Sequence, residues 1–296
     1  MTISRAPWLA ALLILAGILA LLLHISGTTM DYSRYNTGWN GTSTLFQVMD
    51  DRGAVMLERM DELPDSGDCL LMILAPGGEY PAGEISRLSL FLDRGNIVVL
   101  ASDREDENSL LSGLGSAISI RNENLSSIDR YVDHPASVIA FPSGADPLRT
   151  GISRILLNNP SYVEGGFPVF ETSLLSWVDK DGNSRLSRGE SLQKFSVVAA
   201  ERHGNGTLYV IADPSIFINV MQDPGERSEN AEFSRRLMSL KPCLLVDQGH
   251  SRTASCPPVI RAVNLVREST GYMIAIITLI FLAISLFIVT RRKDHD

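Results

Sequence analysis

Cysteine is scarce in this chain, and the signatures of covalent catalysis are missing. Three cysteines do not make a disulfide framework. There is no Gly-x-Ser-x-Gly or Gly-x-Cys-x-Gly elbow and no phosphate-cradling Gly-x-x-x-x-Gly-Lys-Ser/Thr loop. The five histidines are scattered without zinc-ligand spacing. Positive charge is also short, with 26 Lys and Arg against 34 Asp and Glu and a net charge of -8. No basic, aromatic-studded face emerges, so nucleic-acid binding is set aside.

Long apolar runs are present. Residues 7–25 carry no acid and no Lys or Arg, and residues 272–290 carry no charge. Each is long enough to cross a hydrocarbon core of about 30 Å as a helix of roughly 20 residues. The first exceeds the roughly 7–15 residues of a signal-peptide core and lacks an A-x-A-like cleavage site, so it reads as an uncleaved signal anchor. Arg5 before the first run and the tail 291–296, "RRKDHD", after the second carry the positive-inside signal. The expectation is a two-pass protein of the cell membrane, in contact with lipid. Both termini would be cytoplasmic, with a large extracytoplasmic domain over 30–268. Asn40, Asn124 and Asn205 are glycosylation sequons on that side. Cys69 lies in an apolar strand pattern and reads as a small buried hydrophobe. Cys243 and Cys256 flank a loop where a disulfide is permitted.

Within 30–268, short apolar runs alternate with helical or turn-rich stretches. "DCLLMILAP" (Asp68–Pro76) is apolar on both faces, as a buried parallel strand is. A helix follows, with Pro81 near its start, a stripe of Ile85, Leu88 and Leu92, and Gly95 as a stop. "NIVVLASD" is the next strand, so the three make a right-handed βαβ unit. Upstream the pattern predicts a capped helix from about Thr42 and a strand at Val55–Glu58. Downstream it predicts strands at Ser137–Phe141, Lys194–His203, Gly206–Asp213 and Cys243–Asp247. The break "HGNG" marks a hairpin. Helices over Ser228–Leu240 and Pro258–Arg267 complete the cover. The fold class expected is α/β: an open, mostly parallel, flavodoxin-like sheet with an antiparallel extension, flanked by one transmembrane helix at each end.

Ligands of open α/β sheets bind at the carboxyl ends of the strands. In this reading those ends carry Asp103, Asp213, and Asp247 with His250, candidates for acid/base work or metal binding. The competing reading makes Asp213, in "DPS", a helix N-cap with Pro at the first helical position, and His250 a polar loop residue. A second constellation lies in "DKDGNSRLSRGE". Counted from Asp179, oxygen-bearing side chains fall at positions 1, 3, 5 and 12: Asp179, Asp181, Asn183 and Glu190. Arg185 at position 7 would lend its carbonyl. That is the spacing of a twelve-residue calcium loop, although Ser184 stands where Gly is usual. The two readings of this run are a structural Ca²⁺ clip and a solvated polar turn.

The stretches Tyr35–Gly53, Leu71–Asp103, Gly204–Asn219 and Leu244–Arg252 resemble a family of membrane-anchored archaeal and bacterial proteins, the domain-of-unknown-function family 4350. The resemblance implies a fold like class I glutamine amidotransferases without their catalytic Cys-His-Glu. It also implies an accessory role beside MoxR-type ATPases. A related pattern, Asp-Glu-x-His, reads Asp247-Gln248-Gly249-His250 here, with an amide in place of the Glu carboxylate. The function expected is a membrane-tethered, non-enzymatic module that binds a protein partner or small ligand outside the cytoplasm. The alternative is a hydrolase or transferase using the acidic and His residues of the strand ends.

Overall fold

The computed structural model describes residues 27–129, 134–222 and 229–258, with isolated positions in the terminal segments. Two compact units divide the chain, Thr29–Ser255 and a second comprising Met1–Thr28 with Cys256–Asp296. The first holds the following elements. Its strands are β1 (Val55–Leu57), β2 (Cys69–Leu74), β3 (Ile97–Ala101), β4 (Ser119–Arg121), β5 (Leu125–Ser127), β6 (Ser137–Pro142) and β7 (Ile155–Asn158), then β8 (Tyr162–Glu164), β9 (Phe167–Thr172), β10 (Ser176–Val178), β11 (Ser196–His203), β12 (Gly206–Ile211) and β13 (Cys243–Asp247). Its α-helices are α1 (Ser43–Asp51), α2 (Ala82–Asp93), α3 (Asn108–Gly113) and α4 (Asn230–Met238).

Among the described residues, eleven strands form one sheet with the order β1-β13-β2-β3-β12-β11-β9-β6-β7, and β8 and β4 attach at β11. β1, β13, β2, β3 and β12 run parallel. From β12 onward every pairing is antiparallel. β5 and β10 form a separate pair. The expected mostly parallel sheet is therefore corrected to a mixed one, with few helices and half its path antiparallel. Six strands were missed, and four of them, β4, β5, β8 and β10, have only three residues each. Such lengths are too brief for an alternating pattern to show in sequence.

Both faces of the parallel half are buried, which is why its strands read as unbroken apolar runs. Leu70, Met72 and Leu74 of β2 face one core, with Leu45, Phe46 and Met49 of α1 and Phe233 and Leu237 of α4. Leu71 and Ile73 face the other, with Leu88, Phe91 and Leu92 of α2 and Leu110 and Leu111 of α3. The helix α2 starts at Pro81, whose missing N–H costs nothing at a helix start. The hairpin expected at "HGNG" is present, with His203 paired to Gly206. A Cβ on Gly206 would sit 2.4 Å from Leu92 O and 2.3 Å from Asn96 O, so only glycine lets β12 begin there.

The expected flanking transmembrane helices and the two-pass membrane placement are not supported. No helix among the described residues is long and apolar enough to cross a membrane, which would take roughly 20 continuous apolar residues. Most of 7–25, 272–290 and 291–296, and of the helix expected at Pro258–Arg267, lies outside the described residues. The disulfide that the sequence left open between Cys243 and Cys256 is not the one formed. Cys243 is bonded to Cys69, not to Cys256, because β13 inserts beside β2 with those two residues in direct register.

Candidate functional site

The carboxyl ends of the parallel strands bring the four rim candidates together in two groups. At the ends of β2 and β13 lie Asp247 and His250, joined by Tyr80, Glu84 and Glu107. Asp247 is 1% exposed. Its Oδ1 accepts the backbone N–H of Gly249 at 2.9 Å and of His250 at 3.3 Å. Its Oδ2 accepts the Tyr80 hydroxyl at 2.9 Å. The His250 ring stacks on Tyr80, with centroids 4.3 Å apart. Its Nδ1 lies 3.4 Å from Asp247 Oδ2, and its Nε2 lies 3.0 Å from Glu84 Oε2. Neither contact is aligned as a hydrogen bond, so both act as charge contacts.

The electrostatics follow from that packing. The neighbouring Asp247 carboxylate holds the His250 imidazole above its ordinary value, against the opposing effect of burial; Glu84 and Glu107 add to the rise. Burial, then the Asp247 charge and its hydrogen bond, push the Tyr80 phenol well up. Burial pushes Glu107 up to about 7, with Arg104 and His250 pulling it partly back. Glu107 as a residue is 5% exposed. Backbone strain marks the same place. Ala75, at the end of β2, has φ +44°, fixed between Ala101 O, which accepts its N–H, and Arg252 N, which donates to its carbonyl.

The second group sits at the ends of β3 and β12. Asp213 is 2% exposed, accepts Ser215 N at 2.8 Å and Asn158 N at 2.7 Å, and is pushed up to about 6 by burial. It N-caps the 3₁₀ turn Pro214–Phe217 and also ties down β7. Tyr32, with φ +62°, lies under the Arg252 guanidinium at 4.6 Å. Burial raises its phenol first, with the charges of Asp213 and Asp103 adding to the effect.

Tyr80, Glu84 and Glu107 escaped the reading of the sequence. They lie 167, 163 and 140 positions before Asp247 in the chain, and nothing in their local patterns differs from an ordinary loop or first helical turn. The run "PGGEYP" after β2 was the available signal. A Cβ on Gly78 would touch His250 Cδ2 at 3.6 Å, and one on Gly77 would press Arg252 Cγ at 3.1 Å.

The acidic loop forms a third locus. One carboxylate oxygen each of Asp179, Asp181 and Glu190 lies within 4.8 Å of the others. In the same loop Asn183 Nδ2 donates to Asp181, and Asn183 Oδ1 accepts Arg185 N at 2.7 Å. Ser184, where Gly is usual, adopts φ +57°. Two cavities lie away from these groups. One of about 360 Å³ is lined by Phe141, Glu171, Leu174 and Lys194. Another of about 470 Å³ is lined by Asp146, Phe167, Arg202 and Tyr209. Neither touches the His250 group, and the chemistry of the side chains places the candidate site there.

An α/β domain with a mixed sheet and an ionisable rim at its strand ends is the class these features define. The chain belongs to the family described as "Domain of unknown function (DUF4350)", whose model matches residues 34–238. No curated protein matches it. Among solved structures it is similar to the mmIFT52 N-terminal domain, at 14% identity and a TM-score of 0.50, over 66% of this chain and 87% of that one. That likeness is one of fold. The exo-beta-1,4-mannosidase Op5Man5 from Opitutaceae bacterium strain TAV5 matches at 14% identity and a TM-score of 0.34, over 59% of this chain and 25% of that one. The cytoplasmic protein STM1381 from Salmonella typhimurium LT2 matches at 7% identity and a TM-score of 0.37, over 68% and 87%.

Proposed function

We propose that the domain is a non-enzymatic module that binds a small ligand or a protein partner on the rim between the ends of β2 and β13. The observation that carries this reading is the crowding of His250: Glu84 Oε2 lies 3.0 Å from Nε2 and Asp247 Oδ2 3.4 Å from Nδ1, so a carboxylate already occupies the place beside Nε2 where a substrate's proton would be taken. The hydroxyl in the same loop, Ser251, is tied to Leu74 O and Thr253. Cys69 and Cys243 are joined in a disulfide at the opposite ends of the same strands. An amidotransferase-like frame without its nucleophile fits this picture, as does an accessory role beside a MoxR-type ATPase. The alternative, a hydrolase or transferase built on Asp103, Asp213, Asp247 and His250, predicts turnover. The full chain assayed on ester, amide and phosphoester panels should show none. Turnover abolished by His250→Ala in a folded protein would overturn the reading.

The loop Asp179–Glu190 belongs to the same proposal as a structural calcium clip. Three carboxylate oxygens within 4.8 Å can share one Ca²⁺ at 2.3–2.6 Å bond lengths. The left-handed backbone at Ser184 supports it, since that position turns sharply in such loops. Calcium should raise the melting temperature of the native chain relative to chelator, and Asp181→Ala should abolish that difference. Equal melting of the native chain in calcium and in chelator would sink the clip.

A further inference from the structure

The cavity of about 470 Å³ lies at the amino ends of β3 and β12, the other end of the sheet from the rim. Its floor follows from the strand register. Phe167 of β9 stands opposite Ala200 of β11, and Ala200 opposite Tyr209 of β12. One step along, Arg202 stands opposite Thr207, which stands opposite Ile97 of β3. Cross-strand partners share a face, as do residues two apart on one strand, so these six side chains look the same way. One wall is the loop 145–147, and the other is Leu240 with Lys241, just past α4. Both walls are tied down. The Tyr209 hydroxyl donates to both Asp146 oxygens at 3.1 Å, and Asp146 Oδ1 also accepts Leu148 N at 2.8 Å. Arg236 Nε of α4 donates to Pro147 O at 3.3 Å. The cavity is thus preformed, and its volume falls within the roughly 300–1,000 Å³ of small-molecule sites.

Two features of this floor lack a partner within the fold. The Phe167 ring is 72% exposed, although it belongs to a strand in the middle of the sheet. The second feature is a charge. Four charged side chains line the cavity: Asp146, Glu201, Arg202 and Lys241. Asp146 is engaged by Tyr209 and Leu148, and Glu201 accepts Ser116 Oγ and Ala117 N. Lys241 Nζ reaches Asp68 at 3.3 Å. Among the described residues, no hydrogen bond or ion pair engages the Arg202 guanidinium, in a chain whose net charge is -8. Its charge reaches into the cavity, since it and Asp146 act on the Tyr209 phenol in opposite directions.

An organic cation here would meet Arg202 as a like charge, and a neutral apolar molecule would cover the guanidinium without pairing it. A carboxylate takes two parallel N–H bonds from a guanidinium, and a flat ring finds an apolar wall in Phe167. We infer that this cavity binds a small aromatic carboxylate, with its acid group on Arg202 and its ring against Phe167. The site is separate from the rim, and neither reading depends on the other.

The test is calorimetric titration of the full chain with 2-naphthoate, 2-naphthamide and cyclohexanecarboxylate. The naphthoate should saturate, with the amide and the cyclohexane acid each several-fold weaker. Arg202→Gln should weaken naphthoate about tenfold and leave the amide unchanged. Phe167→Ala should weaken naphthoate and amide alike, by several-fold. Both side chains are solvent-exposed, so both variants should melt with the native chain. Absence of saturation by naphthoate would overturn the inference, as would an amide that binds as tightly as the acid. Undiminished naphthoate binding by folded Arg202→Gln would show that the acid group sits elsewhere, and undiminished binding by Phe167→Ala would do the same for the ring.

Discussion

The Glu107 and Asp213 carboxyls, pushed up by burial to about 7 and about 6, keep protons in the fold that the unfolded chain releases at its ordinary values. The native state thus binds more protons across roughly pH 4 to 7, and stability falls as pH rises through that window. His250, raised by Asp247, adds stability present at low pH and lost as pH climbs through its folded value, so it works in the same direction. Replacing Glu107 with Gln removes a charge that the buried site disfavours. The variant should match the native chain near pH 5 and exceed it near pH 8, by on the order of 1 kcal/mol. Denaturant melts at the two pH values check this, and a constant offset would show that Glu107 is not the titrating group. These residues were legible only in part. Asp247 and His250 could be singled out because strand ends are ligand-facing by rule. Glu84 and Glu107 look like any solvated acid until the fold covers them.

Side chains from distant elements guard the sheet's antiparallel edge. β7 is the last strand in its order, and an open edge invites pairing with another chain. Here side chains stand in for the missing strand. Asn230, fully buried at the start of α4, accepts from Leu156 N and donates to Leu156 O, both at 2.9 Å. Asp213 takes the N–H of Asn158. Asn230→Ala strands one backbone donor and one acceptor and should cost about 2 kcal/mol. Faster hydrogen exchange at the Leu156 amide is the local readout, and an unchanged rate would mean that water already serves that edge. The helix α4 itself was expected at Ser228–Leu240 from its apolar period and runs over Asn230–Met238. Its edge-capping role depends on a strand 74 positions earlier, which no local window reveals.

At the scale of the whole domain, the Cys69–Cys243 bond spans 174 residues and joins two adjacent parallel strands. It closes most of the chain into one loop, so it restricts the unfolded ensemble more than the native one. Reductant, or Cys69→Ser with Cys243→Ser, should lower stability by roughly 2–5 kcal/mol. The native chain in reductant should melt where the double variant does. Unchanged melting on reduction would show that the parallel ladder alone sets the stability there.

The sequence by itself determined the elements whose signals are local. β2, β3, β12 and β13 are apolar on both faces, the turn at 203–206 requires its glycines, α2 starts at a proline, and the acids of 179–190 recur at fixed spacing. Tertiary structure decided which strands are neighbours. β13 comes to rest between β1 and β2 through pairings 190 and 174 residues apart, and that one choice sets Cys243 on Cys69 and lays Asp247 and His250 against Tyr80 and Glu84. A local pattern fixes how a segment folds, because its period and turn chemistry act over a few residues. Strand order is fixed by burial and hydrogen bonding between distant segments, which only the assembled sheet brings into contact.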